Sequence, residues 1–573
     1  MLKTLLKDFQ PTLFTSLKTY NKEKFVADAM SGLIVGIVAL PLAIAFGISS
    51  GVTPEKGIVT AIIAGFIISF LGGSHVQIGG PTGAFIVIVY GIVEQFGITG
   101  LAISTVLAGI MLLLMGFLKL GTVIRFIPYP IVVGFTAGIA LTIFSTQIKD
   151  LFGLSIDKVP SDFFAKWGVY FQQIGTINWW AAGIGIISVI IIFLTPKISK
   201  KIPGSLIAII VMTVVVFLMK QYLGVSGIET IGDRFHIKSQ LPQVEPIGFS
   251  LESIRILFPS AFTIAMLGAI ESLLSATVAD GVIGKRHNSN MELVAQGVAN
   301  IVTPFFGGIP ATGAIARTMT NINNGGRSPV SGIIHAVVLL LILLFLGDLT
   351  KHIPMACLAG VLVVVAYNMS EWRTFRSLAK QSKSTLSVLL TTFTLTVVFD
   401  LTIAIEVGLL LAVFLFLKRL TESTQVSVTT GKVDISKDIE SHSGNLQDEV
   451  LHLPKGVEVY EIDGPFFFGV ANKFDDVMRE IGKRPDIRII RMRKVPFIDS
   501  TGLNNLENLC KNSKKEKIQV ILSGVNDDVR ASLKKSRILQ LVGEENICSH
   551  IHAAVKRAEE LSEELKSKHK NYD

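Results

Sequence analysis

The chain has 573 residues, of which 50% are hydrophobic and only 17% charged, with a mean hydropathy of +0.57, so it carries more apolar surface than one soluble core can bury. The formal charge of +9 is no nucleic-acid signature, because most basic residues sit in short loops between apolar runs or in the tail. Three cysteines, Cys357, Cys510 and Cys548, speak against a disulfide framework and stand in no metal-ligand spacing.

Residues 1–24 contain Lys3, Lys7, Lys18, Lys22 and Lys24 beside Asp8 and Glu23, without an apolar core leading to a cleavage site. This predicts a short amphipathic helix on the cytosolic membrane surface rather than a signal peptide. Apolar runs then follow at 25–48, 57–72, 82–95, 101–118, 124–147, 178–195, 203–222, 256–279, 291–305, 312–322, 329–347, 354–370, 384–399 and 401–417. The third and tenth are too short to cross a bilayer alone. An even number of crossings puts both termini on one side. Loops on that side hold Lys197, Lys200, Lys201, Lys285, Arg286, Arg373, Arg376, Lys380 and Lys383, so it is the cytoplasmic side of a multi-pass protein in the cell membrane. The longer loops at 149–177 and 223–253 face outward.

Residues 79–84 read Gly-Gly-Pro-Thr-Gly-Ala, and residues 307–314 read Gly-Gly-Ile-Pro-Ala-Thr-Gly-Ala. Pro81 and Pro310 lie about 230 residues apart, and so, closely, do the pairs Ile127-Pro128 and Ile353-Pro354 and the landmarks Pro41 and Glu271. Constant offsets predict that spans 1–7 and 8–14 are copies, and an odd number of spans per copy inverts the second. Non-helical backbone at 74–81 and 303–310 is tolerable at membrane depth only inside the bundle, so the two stretches should face each other there. Short helices beginning near Thr82 and Thr312 then aim two N-termini at one midplane point, each worth about half a positive charge. That predicts an anion site, with Thr82 and Thr312 at capping positions. Taken singly, either phrase is better explained by close helix packing; their duplication favours the site.

Arg317 and Glu271 stand out among the charges that fall inside apolar runs. Arg317 lies a turn beyond Gly313 and Ala314, and either adds positive potential behind the anion or ties itself to backbone carbonyls or a carboxylate. Glu271, with Gly268 and Ser275 on its face, either carries a proton, holds a cation that travels with the anion, or is a hydrogen-bonded structural residue. Asp400 and Glu406 are weaker candidates, at a hairpin and at a packing or interfacial position. No nucleophile–base pair or metal cluster suggests an enzyme.

The stretch Ala-Leu-Pro-Leu-Ala-Ile-Ala-Phe-Gly (39–47), the Gly-Pro-Thr-Gly phrase, Gly-Ala-Ile-Glu-Ser-Leu-Leu on the eighth run, Val-Ala-Asp-Gly (278–281) and Ala-Arg-Thr-Met-Thr-Asn (316–321) resemble the sulfate permease family, SulP or solute carrier family 26. The resemblance implies an all-α polytopic fold of fourteen spans in a 7+7 inverted repeat. A core (spans 1–4 and 8–11) would move elevator-style against a gate (spans 5–7 and 12–14), in a homodimer carrying sulfate, bicarbonate, chloride or dicarboxylates. It also implies that Thr82, Gly83, Ala84, Gly313, Ala314 and Ile315 touch the anion and that Pro41 and Phe46 line the pocket. Sodium-coupled bicarbonate members of the family bind the cation with a span-8 carboxylate, a hydroxyl one turn later and a hydroxyl at the span-10 helix start. Glu271 and Ser275 match the first two, but Ile315 stands at the third position, which favours proton over sodium as the coupling ion. No other cofactor is expected. Rival readings are a nucleobase-type permease and an anion sensor that signals through its tail.

After Lys418 the composition turns polar. Alternating strands and helices at 457–463, 473–481, 487–492, 501 onward, 518–522 and 527–534 precede a long charged helix. Asp499-Ser500-Thr501-Gly502, between a strand and a helix, resembles the α/β STAS module that ends most members of the family. Soluble relatives are phosphorylated at such a serine. A helix cap and dimer contact is the plainer role for Asp499 and Ser500, with regulation by a protein partner as the alternative. Lys514, Lys515 and Lys517 read as a solvated face. The expected division is 1–24 as N-terminal segment, 25–420 as transport domain, 421–455 as linker, 456–565 as STAS domain and 566–573 as charged tail.

Overall fold

The computed structural model describes residues 9–122, 128–198, 203–222, 224–225, 227–235, 240–399, 401–434, 450–470 and 484–570. Ile127, Lys200, Lys201, Asp400 and the helix expected at 473–481 lie outside the described residues. The chain divides into two compact units, Met1–Ala412 and Val413–Asp573.

The first unit is helical. A short α1 (Thr12–Leu17) precedes α2 (Lys22–Ser49) and α3 (Pro54–Leu71); a two-residue strand β1 (Gly79–Gly80) and a 3₁₀ turn (Gly83–Phe85) lead into α4 (Ile86–Phe117). Next come α5 (Tyr129–Phe152), α6 (Phe163–Gln172), α7 (Trp179–Ile198), α8 (Gly204–Tyr222), α9 (Ile231–Arg234), α10 (Leu251–Ile283) and α11 (Ser289–Val302). After a 3₁₀ turn (Thr303–Phe306) and β2 (Thr312–Gly313) the unit closes with α12 (Ile315–Asn323), α13 (Val330–Thr350), α14 (Met355–Met369), α15 (Trp372–Ala379), α16 (Lys383–Val398) and α17 (Leu401–Ser423), within which the unit boundary falls. Among the described residues, nine helices are long and apolar enough to cross a bilayer.

Three boundaries correct the sequence reading. The loop expected between the third and fourth runs shrinks to a kink inside α4 at Gly97 (φ 69°), a backbone state that glycine adopts without a steric penalty. The ninth run ends its α-helix at Val302 and continues as a 3₁₀ turn, because Pro304 cannot donate a helical bond. The tenth helix begins at Ile315, not Thr312, because Thr312 and Gly313 pair with backbone across the bundle instead.

Two packing groups make up the unit. α2, α3 and α13 pack on one another, and α4 packs against α10 and α11. Gly109 of α4 and Gly297 of α11 bring those two backbones together so closely that a methyl group on either would strike the other helix. In the second group, α5 packs on α14 and α16, and α7 on α8 and α14.

The second unit is an α/β domain. Strands β3 (Gln425–Thr430), β6 (Val457–Asp463), β7 (Ile487–Lys494), β8 (Gln519–Ser523) and β9 (Ile547–Cys548) form one sheet in that order, and β4 (Lys432–Asp434) pairs with β5 (Val450–His452). Only β3 runs antiparallel in the larger sheet. Its parallel strands place apolar residues on both faces, which helices cover on each side. Ile490 and Leu522 meet Leu506 of α18 (Ser500–Lys515) and Val529 of α19 (Asp527–Lys534), α20 (Ile538–Val542) adding Ile538; on the other face Ile489 and Ile521 meet Ala554 and Val555 of α21 (Ile551–Lys570). Asp499 caps α18 by accepting from Gly502 N at 2.7 Å, and its other oxygen accepts from Phe468 N at 3.2 Å. Ser500 is exposed at the first turn, and Lys514, Lys515 and Lys517 are exposed as expected.

Candidate anion-binding cavity

The two Gly-Pro phrases meet. β1 and β2 form an antiparallel ladder that pairs Gly79 with Gly313 and Gly80 with Thr312, and Ala314 N extends it by donating to Ile78 O at 2.9 Å. Backbone that would be costly in hydrocarbon is thereby satisfied within the protein. Side chains of α12 complete the join. Thr318 Oγ1 accepts from Ile78 N at 3.1 Å, Asn321 Nδ2 donates to Val76 O at 2.8 Å, and Arg317 donates to Gly79 O at 3.3 Å and Pro81 O at 2.5 Å. Gly80 is obligatory here: its φ is 151°, and a Cβ would run into the guanidinium of Arg317.

A second set of buried polar groups braces the approach to β1. Glu292 of α11, fully buried, accepts from Gly73 N at 2.9 Å, Ser74 N at 3.1 Å, Gln77 Nε2 at 2.8 Å and Gln296 Nε2 at 3.0 Å. Asn300 does the same for the second phrase, exchanging two hydrogen bonds with the backbone of Ala311 at 2.8 and 2.9 Å. Both phrases are thus held by side chains of α11 and α12 rather than by helix, and their geometry is rigidly specified.

In front of the ladder lies a cavity of about 270 Å³. One wall carries Phe46 of α2, Thr82, Gly83 and Ala84 at the start of the first short helix, Ala314, Ile315 and Arg317 at the start of the second, and Glu271 of α10. The facing wall belongs to the other packing group and carries Thr136 of α5, Val365, Asn368 and Met369 of α14, and Glu371. Neither helix start has a side-chain cap, so the partial positive charge at both tips is not spent on a capping side chain. The Thr82 hydroxyl is buried and unpartnered among the described residues. The Glu271 carboxylate is half-buried and has no hydrogen bond or ion pair among them.

The sequence-chosen residues divide accordingly. Thr82, Gly83, Ala84, Ala314, Ile315, Arg317, Phe46 and Glu271 line one space, whereas Thr312, Gly313, Pro41 and Ser275 do not. Thr312 is not a cap; its hydroxyl donates to Gly268 O at 2.9 Å. Gly313 faces the Gln77 side chain, Ser275 Oγ turns to Thr318 Oγ1 at 3.4 Å, and Pro41 borders an apolar groove between α2, α8 and α13. Glu406 is exposed on α17. Arg317 is tied to carbonyls and still borders the cavity, so neither of its two readings displaces the other. Unforeseen were Asn368, Met369 and Glu371, at or just past a span end where such residues read as interfacial, Thr136, a mid-span hydroxyl that reads as ordinary helix packing, and Glu292, which the rule that singled out Glu271 also covers.

The sulfate permease family model matches residues 25–392, and the STAS domain model matches residues 450–556. The chain belongs to the sulfate permease family. It is 40% identical to the putative sulfate transporter YvdB of Bacillus subtilis over 93% of this chain and 98% of that one. It is 29% identical to the bicarbonate transporter BicA of Picosynechococcus over 93% and 94% of the two chains. The fold is that of the murine Slc26a9 anion transporter, with a TM-score of 0.84 at 19% identity over 97% of this chain and 95% of that one. As a member of the SulP/solute carrier 26 family, this protein is a multi-pass membrane transporter with a C-terminal STAS domain.

Proposed function

We propose that this protein is a secondary active transporter of a small anion of the sulfate or bicarbonate kind, bound between the two uncapped helix tips. The observation that carries the proposal is the β1–β2 ladder, which brings both tips, an unpartnered threonine hydroxyl and a guanidinium to one cavity. Names borne by the relatives, a putative sulfate transporter and a bicarbonate transporter, support the substrate class.

In this reading the helices and half-helices make fourteen segments in two inverted sets of seven. The group around α2–α4 and α10–α13 is the moving core, and the group of α5, α7, α8, α14, α16 and α17 is the gate of a homodimer. The cavity is walled by both, as elevator transport needs. It shares lining residues with spaces of about 710 Å³ and about 320 Å³ near Lys285, Arg286 and Gly204, on the side that the basic loops mark as cytoplasmic, which supports an inward-facing reading. Glu271 is the coupling residue, and Ile315, whose side chain offers no oxygen to a cation, favours the proton. The STAS domain is regulatory, through Asp499 and Ser500.

Uptake of labelled sulfate and bicarbonate into proteoliposomes, with imposed proton and sodium gradients, tests this. Accumulation driven by the proton gradient is expected. Binding without flux would leave a sensor, and flux driven by sodium alone would overturn the proton assignment.

A further inference from the structure

Glu371 is a carboxylate on a wall of the candidate anion cavity, and nothing in the site as described explains it. It lines the same space as Glu271 and Arg317 but comes from the opposite packing group, at the start of α15. Its backbone is left-handed (φ 40°, ψ 39°), a conformation that non-glycine residues adopt at a cost and that persists where the surroundings impose it. Phe375 N donates to its carbonyl at 2.9 Å, and the Tyr129 side chain lies against its carboxylate. The side chain is exposed and has no ion pair among the described residues, although Arg373 and Arg376 follow it in sequence. Arg373 instead stacks on Trp372, 5.4 Å from the ring centre.

The cavity wall therefore carries one guanidinium and two carboxylates, against two helix tips worth about half a charge each. A carboxylate in that position acts on a guest in proportion to the guest's charge. We propose that Glu371 sets the charge selectivity of the cavity, weakening dianions relative to monoanions. The inference rests on reading this cavity as the transport site. It adds a charged determinant on the facing wall to a cavity whose other charged side chains, Glu271 and Arg317, come from the core, and it identifies the preferred substrate class as a small monoanion. Because Coulomb energy is linear in charge, neutralising Glu371 should strengthen a dianion by about the square of the factor by which it strengthens a monoanion.

The test is equilibrium binding to purified full-length protein, read as ligand-dependent thermal stabilisation, with sulfate as the dianion and bicarbonate as the monoanion at one mildly alkaline pH. Glu371→Gln is expected to tighten bicarbonate by about threefold and sulfate by about tenfold. Glu371→Asn, which suits the left-handed backbone, should do the same, and Glu371→Asp should keep the wild-type ratio. Equal shifts for both anions, or none, in the folded neutral variants overturn the assignment of Glu371 while wild-type binding leaves the cavity reading intact. Wild-type protein that binds neither anion overturns the cavity reading and this inference together.

Discussion

Arg317 Nη2, in the helix that follows the second Gly-Pro phrase, donates to the carbonyl oxygen of Pro81 in the first at 2.5 Å. With the bond to Gly79 O, one side chain staples the non-helical backbone of the first phrase to the helix of the second. Arg317→Ala leaves two buried carbonyls without a donor, at about 1–3 kcal/mol each, and should lower the unfolding temperature markedly as well as anion affinity. Arg317→Lys separates the two roles. An ammonium keeps the positive potential but lacks the planar fork that reaches two oxygens, so affinity should survive better than thermal stability. Stability that survives while affinity falls would make the guanidinium an anion ligand first.

Thr82 and Thr312 occupy matching places in the two phrases but differ in what their hydroxyls do. Thr82 Oγ1 is unpartnered among the described residues and borders the cavity, whereas Thr312 Oγ1 is spent on Gly268 O. Thr82→Val should therefore weaken anion binding by about 1 kcal/mol, roughly fivefold, with little change in stability. Thr312→Val should show the reverse, losing about 1 kcal/mol of stability with affinity nearly intact. Isothermal titration and thermal unfolding of the two variants check the pair. Equal affinity losses would mean that both hydroxyls reach the anion.

This asymmetry marks where sequence reading stops. The meeting of the phrases was legible because it follows from two facts visible in the chain, helix-breaking residues in apolar surroundings and their repetition at a constant offset. The pairing register was not legible. It depends on Gly80 accommodating Arg317 and on Thr318 and Asn321 capturing Ile78 and Val76, contacts between residues far apart in sequence. Symmetry of the motif suggested symmetry of role, and the ladder broke it by absorbing Thr312 and Gly313 into backbone pairing. Likewise the wall facing the helix tips stayed hidden, because Asn368 and Glu371 end a span, where polar residues are ordinary.

Glu271 lines the cavity with no hydrogen bond or ion pair among the described residues, so its carboxylate is free to take up a proton or to meet a guest. Glu271→Gln keeps the shape and removes the titration. It should reduce proton-driven accumulation of sulfate or bicarbonate in proteoliposomes by an order of magnitude or more while leaving anion binding and counterflow exchange within about threefold of wild type. Parallel loss of binding and accumulation would assign Glu271 to the anion pocket itself rather than to coupling.

A last expectation concerns α6, which lies between the spans α5 and α7. Lys166 is only 2% exposed, and burial holds its ammonium well below the usual lysine range, at about 8, although Asp162 and Glu94 pull it back up. The unfolded chain binds this proton up to a pH of about 10.5, so the folded state is penalised below pH 8 and relieved as pH rises between the two values. The penalty amounts to about 3 kcal/mol at neutral pH. Lys166→Met keeps the apolar stem and removes the charge. The variant should be more stable than wild type at pH 7, and its advantage should shrink steadily from pH 8 to pH 10, as measured by chemical unfolding across that range. An advantage that stays constant with pH would mean that packing, not proton release, accounts for it.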